Sequence, residues 1–191
     1  MHGTDEQLEI VDEDDHLVGL GTRQQIHADR LWHRGSYVTL TDPDGNVLLT
    51  RRSATKANDP GRLEASIGEH VAPRETYLEA AQRGLKEELG VEGGTHEEVR
   101  ILRVDLRRGS ETALSSACLV QIVGMFSFVY DGTIRPDPTE ISEVLWITPD
   151  ELHRRVVYEP ATFAPQCVEL IRYSLGFPSR CEILHIDPET S

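Results

Sequence analysis

Glu75-Thr76-Tyr77-Leu78-Glu79-Ala80-Ala81-Gln82-Arg83-Gly84-Leu85-Lys86-Glu87-Glu88-Leu89-Gly90-Val91 runs through the middle of the chain. Its opening has the form of a helix entry. Thr76 and Glu79 stand three apart, the spacing at which a hydroxyl and a carboxylate cap each other's backbone amides. Leu78, Ala81, Leu85 and Leu89 then recur as one apolar stripe. Gly90 can take the left-handed conformation that ends a helix. The spacing predicts a helix over residues 76–89. Helix formation alone does not account for two of its features. Gly84 sits in the interior, where glycine costs about 1 kcal/mol relative to alanine. Positions 84, 87 and 88 share a face, so Glu87 and Glu88 repel each other unless cations neutralise them. A solvated helix face is the competing reading of such a pair.

Outward from this helix the chain reads as strands with a few helices. Leu8–Val11 and Leu17–Gly21 flank the acidic turn Asp12–Asp15 and predict a hairpin. A short helix or loop follows at 24–31. Residues 36–41 and 46–51 surround Asp42-Pro43-Asp44-Gly45, the strongest hairpin signal in the chain. Residues 56–62 hold Asn-Asp-Pro-Gly and read as a loop, and 63–71 as an irregular strand. A second long hairpin is expected from 98–107 and 112–123, turning through Arg108-Gly109-Ser110, with 125–130 continuing the sheet. Residues 144–147 form a short strand. Thr148 and Pro149 open a helix to about 156, and a terminal helix covers about 163–175. The tail, 176–191, is left undetermined. Without regular alternation of strand and helix, the whole chain, 1–191, reads as one α+β domain.

Seven positions of the central segment, Glu75, Arg83, Leu85, Glu87, Glu88, Gly90 and Val91, fall in the register Gly-x5-Glu-x7-Arg-Glu-U-x-Glu-Glu-x-Gly-U, where U is a bulky aliphatic residue. This resembles the Nudix box, here residues 69–91. The flanks are similar to the Nudix branch related to isopentenyl diphosphate isomerase: His27, His33-Arg34, Leu48-Leu49-Thr50-Arg51-Arg52-Ser53, Lys56, Pro60-Gly61 and Trp146-Ile147-Thr148-Pro149-Asp150-Glu151-Leu152. The likeness extends from Leu8 to Leu152. It implies an α/β/α sandwich around a mixed central sheet. It also implies hydrolysis, with Mg²⁺ or Mn²⁺, of a diphosphate bond joining a nucleoside diphosphate to another moiety. In that reading Glu87 and Glu88 are the catalytic carboxylates and hold metal. Arg83 belongs to the catalytic set by positioning them through ion pairs. Oxygen ligands in this number suit a hard divalent cation.

This copy departs from the box twice. Its opening glycine is Glu69, and the glutamate after the box arginine, a metal ligand in the family, is Gly84. Either the site has decayed or Glu69 supplies the missing carboxylate as a metal ligand. A loop carboxylate loses more entropy on ordering than one fixed on a helix, which tilts the expectation towards a weakened site. The isomerase comparison fails at its catalytic cysteine, which falls at Gly68. Its pair of metal-binding glutamates is placed near Ala113–Cys118, where there is no acid and Glu111 is nearest. His33 and His70 match metal-binding histidines of the isomerase, and His27 lies close to a third. A hydrogen-bonded structural role competes with ligation, and is favoured for His27.

Arg51, Arg52, Lys56, Arg62 and Arg74 make the densest basic stretch of an acidic chain, with 19 Lys+Arg against 33 Asp+Glu and a net charge of −14. Arg52 and Lys56, with Arg51, are the expected binders of an anionic diphosphate. Charge balance on a loop is the alternative. Trp32, Tyr37 and Phe128 are assigned to packing, as is Cys118. The charge disfavours a nucleic-acid polymer as partner. No apolar run is long enough for a membrane span. Three cysteines, an odd number without a Cys-x-x-Cys pair, point to a reducing cytoplasm. The expected partner is a small diphosphate-containing substrate, and a homodimer is compatible. Two rival classes stand beside the hydrolase: a non-catalytic diphosphate-binding protein, suggested by Gly84, and a prenyl diphosphate isomerase, opposed by Gly68.

Overall fold

The computed structural model describes residues 6–106 and 120–184. Strands β1 (Gln7–Val11) and β2 (Leu17–Thr22) pair antiparallel as a separate ribbon, followed by helix α1 (Arg23–Asp29). The main sheet contains β3 (Arg34–Thr41), β4 (Val47–Arg52), β5 (Leu63–Glu64), β6 (Ile67–His70), β7 (Thr95–Asp105), β8 (Val120–Val129), β9 (Ile141–Ile147) and β10 (Cys181–Ile183). Three helices complete the fold: α2 (Tyr77–Leu89), α3 (Pro149–Tyr158) and α4 (Pro165–Ser174).

The strand order is β10-β7-β8-β3-β4-β5, with β6 beside β3 and β9 beside β4. The β3–β8 pair is parallel and the other pairs are antiparallel, so the sheet is mixed. Helix α2 covers one face. There Leu85 and Leu89 pack with Val38, Leu40, Leu48, Ile67 and Phe128. Helices α3 and α4 cover the other, where Leu152, Val156, Cys167 and Ile171 pack with Val47, Leu49 and Leu63. Strand β4 therefore buries both its faces, which explains why Val47-Leu48-Leu49 is a continuous apolar run rather than an alternating one. This is the expected α/β/α sandwich.

Helix α2 begins and ends where its residues predict. The Thr76 hydroxyl accepts from Glu79 N, the Glu79 carboxylate accepts from Thr76 N at 2.8 Å, and Gly90 adopts φ 65°. Thr148 caps α3 through its hydroxyl, which accepts from Glu151 N.

Three expectations change. The Asp42–Gly45 turn forms, but β3 and β4 pair only at Thr41 and Val47 before they separate. Ser66 fills the gap. Its hydroxyl donates to Leu48 O (2.6 Å) and accepts from Leu40 N (2.9 Å). Backbone groups at a strand separation must find partners, and one serine serves both edges. Strand β9 begins at Ile141, earlier than the sequence indicates, because it pairs along the whole of β4. Within the tail, Cys181–Ile183 forms β10 at the edge of β7. It is too short to show a pattern of its own. The long hairpin is present as β7 and β8. Its turn, with Glu111, Ala113–Cys118 and the packing assigned to Cys118, lies outside the described residues. Phe128 and Trp32 are buried as expected.

Candidate active site

Strand β6 alternates across the sheet, and that alternation makes two different sites. Ile67 and Glu69 face α2, while Gly68 and His70 face the opposite way.

On the α2 side, Glu69 is buried and held by pairing of its backbone with Ser36 of β3. It is a strand residue, so the entropic objection to a loop ligand does not apply. Its side chain lies directly over Gly84. A Cβ at position 84 would come within 2.4 Å of Glu69 Cγ and 2.8 Å of Ile67 Cδ1. Arg83 binds this neighbourhood together. It donates to Glu69 Oε2 (2.9 Å), to both oxygens of Glu75 (2.8 and 3.0 Å) and to His70 O (2.8 Å), and lies 3.7 Å from Glu87. These carboxylates hold its guanidinium well above the ordinary range, the Glu75 hydrogen bonds first among them.

Glu88 is buried against Glu69. Burial raises its pKa well above the usual carboxylate range, and the charge of Glu69 and a hydrogen bond with it raise it further. Glu87, by contrast, is half-exposed. Two buried carboxyls in contact are costly unless a proton or a cation lies between them. Glu69 and Glu88 are in contact and Glu87 is on the same helix as Glu88, an all-oxygen set of the kind a hard divalent ion takes.

Each predicted substrate-binding cation already has a carboxylate. Arg52 Nη1 donates to both oxygens of Glu64 at 3.0 Å, Arg51 Nε donates to Glu143 (2.7 Å), and Lys56 pairs with Glu140. Arg52 and Lys56 are close enough to interact electrostatically with Glu88. Glu64 and Glu140 were not singled out in the sequence. Glu64 meets Arg52 only because β5 pairs with β4, and no local signal announces that.

On the opposite side, His27, His33 and His70 each bring a ring nitrogen within 4.8 Å of the others. His27 Nε2 and His70 Nε2 are 3.1 Å apart. Burial holds both His27 and His33 down to about 4, so they are neutral near pH 7. His27, favoured in the sequence as a separate structural residue, is thus brought into one group with the two candidate ligands. Tyr37 covers Gly68: a Cβ there would meet its ring at 2.7 Å. Gln121 and Gln166, unmarked in the sequence, are buried beside it.

Residues 31–167 match the NUDIX domain. The chain is 34% identical over 150 residues to an uncharacterised Nudix hydrolase of Escherichia coli K12, YfcD, covering 78% of each protein. It is 32% identical over 169 residues to an isopentenyl-diphosphate Δ-isomerase of Nocardia farcinica, covering 86% of this chain and 91% of that one. The crystal structure of DR0079 from Deinococcus radiodurans superposes with a TM-score of 0.69 at 26% identity, covering 88% of this chain and 98% of that one.

Proposed function

The chain belongs to the Nudix family, and we propose that it hydrolyses a diphosphate bond in a small soluble substrate, such as a nucleoside diphosphate linked to another moiety, with Mg²⁺ or Mn²⁺ as cofactor. The observation that carries this reading is the position of Glu69. Its side chain occupies the space that a side chain at position 84 would need. The two departures from the box are then one change: the carboxylate has moved from the helix to the facing strand, and the glycine has moved the other way. A decayed site would have no reason to bury an acid against Glu88.

Glu69, Glu87 and Glu88 would hold the divalent cation. When bound, such an ion supplies polarisation of a phosphoryl oxygen and a lowered pKa for a water molecule. Arg83 positions Glu69 and Glu87 and ties both to Glu75. Arg52 and Lys56 lie beside the acids as the nearest cationic groups for a diphosphate. Their existing partners, Glu64 and Glu140, keep them extended towards the site until an anion competes. Gly68 leaves the isomerase reading without its thiol. The cytoplasmic setting remains the one indicated by cysteine usage. Among the described residues no helix is long and apolar enough to cross a membrane.

A panel of nucleoside diphosphate derivatives, run with Mg²⁺ and with Mn²⁺ and read by an added phosphatase that frees phosphate only from the two monoester products, tests the reading. Hydrolysis that is lost in Glu69→Gln supports it. Tight binding without turnover would establish the diphosphate-binding alternative instead, and allylic rearrangement without phosphate release the isomerase.

A further inference from the structure

A directional chain of hydrogen bonds runs along the far face of β6. His33 Nδ1 lies 3.0 Å from Leu31 O, a carbonyl that can only accept, so Nδ1 carries the ring proton. Nε2 of the neutral ring is therefore an acceptor, and the Gln121 amide nitrogen lies 3.2 Å from it. Gln121 Oε1 in turn accepts from Gln166 Nε2 (2.5 Å), and Gln166 Oε1 accepts from the Tyr37 hydroxyl (3.0 Å). One backbone carbonyl thus sets the polarity of four side chains. Rotating the Gln121 amide would set oxygen against the His33 lone pair and nitrogen against the Gln166 amide nitrogen, so both contacts resist it.

The fold makes room for this chain. A Cβ at Gly35 would fall 2.3 Å from Gln121 Nε2, and a Cβ at Gly68 would collide with the Tyr37 ring. Two glycines in neighbouring strands are needed to seat a glutamine and a tyrosine here. Gln121 and Gln166 are buried, and a buried amide that lost its partner would cost about 1–3 kcal/mol.

We propose that Gln121 closes the imidazole cluster to divalent cations, by occupying the one lone pair that His33 could offer to a metal. Three imidazoles converge, but ligation needs an unprotonated nitrogen directed at the ion from each ring. His33 spends one nitrogen on Leu31 O and the other on Gln121. The cluster is then a hydrogen-bonded clamp, and cation binding is left to the α2 side. This inference stands apart from the hydrolysis reading: absence of turnover would not alter it.

The test uses the full chain, with Co²⁺ and Zn²⁺ as probes. Wild-type protein titrated with Co²⁺ should give only the weak visible absorption of an oxygen-ligated octahedral ion. Long-range ¹H–¹⁵N spectra should show His33 protonated at Nδ1, unchanged by Zn²⁺. Gln121→Glu replaces the amide donor with a carboxylate. It should create a site with the intense absorption of tetrahedral Co²⁺, with affinity raised by about tenfold or more, and His70→Ala in that background should remove it. Intense absorption in the wild-type protein that disappears in His27→Ala would overturn the proposal. So would a folded Gln121→Glu variant that gains no such site. Should that variant not fold, the wild-type spectra decide: an Nε2-protonated His33, or a Zn²⁺-induced shift of its Nε2, refutes the closure, and an unchanged Nδ1 proton upholds it.

Discussion

The two faces of β6 solve opposite electrostatic problems with residues only one position apart. Towards α2, Glu69 and Glu88 bury two carboxyls in contact, an arrangement eased by the hydrogen bond between them and by the Arg83 guanidinium on Glu69. Away from α2, burial keeps His27 and His33 uncharged, His27 is hydrogen-bonded to His70, and His33 to a backbone carbonyl and to Gln121. In the function proposed above, the first face serves a ligand and the second cohesion. Loss of a group should therefore register as function on one side and as stability on the other, and the following changes separate the two.

The largest effect is expected at Glu69. Glu69→Gly should lower hydrolysis by about a hundredfold or more, in the range of a transition-state charge contact. Gly84→Glu alone should also lose activity and stability, since the new side chain enters the space of Glu69, where overpacking costs about 1–3 kcal/mol. Combined, the two should recover much of the activity. Turnover and thermal melts of all four proteins measure this coupling; simple additivity would return Gly84 to the status of a lost ligand.

Arg52→Ala comes next. A loop cation that only binds diphosphate could be removed with weaker binding and little loss of stability. The buried pair with Glu64 alters that expectation. Stranding the Glu64 carboxylate should cost about 3–5 kcal/mol, visible in urea unfolding, and Glu64→Gln should restore part of it. A variant as stable as wild type would place Glu64 in water.

Gln166→Leu cuts the chain between Tyr37 and Gln121. It should cost about 1–3 kcal/mol of stability while leaving Mn²⁺ affinity on the α2 side unchanged. A change in Mn²⁺ affinity would show that the two faces communicate. Glu88→Gln should do the reverse, weakening Mn²⁺ by roughly tenfold, or 1.4 kcal/mol, in a paramagnetic relaxation titration. Glu79→Gln removes the same charge from the same helix and should leave affinity intact, because Glu79 is committed to the cap. Equal affinities for these two variants would take Glu88 out of the metal site. The smallest effect belongs to Thr76→Ala. Loss of the cap should cost about 1 kcal/mol with no change at either face, and it serves as the control for general destabilisation.

Much of this architecture was legible in the residues themselves. Helix α2, its two caps and the cap of α3 lie where the sequence puts them, and so do the hairpin turn at 42–45 and the mixed sandwich that the box implies. The replacement of a ligand at 84 by Glu69 was open as a possibility and could go no further, because nothing in the sequence says that the Glu69 side chain points at Gly84. The error over β3 and β4 has a similar origin. A strong turn signal fixes the turn and says nothing about how far the strands stay paired, which here is decided by Ser66, a residue from another part of the chain. Gln121 and Gln166 carried no signal at all, since an amide in a strand is unremarkable until its neighbours are known.

From its sequence alone this protein's central helix and its carboxylate spacing were legible. These rest on periodicity and capping, interactions between residues three or four apart that any window of the chain displays. The tertiary structure alone decided that Glu69 fills the gap at Gly84, that Arg52 is paired to Glu64, and that Gln121 takes the lone pair of His33. Each of these contacts is made between strands, or between a strand and a helix, far apart in the chain. Their partners are set by register and packing, and a shift of one residue would turn Glu69 to the far face of β6 and bring a neighbour to face α2 in its place.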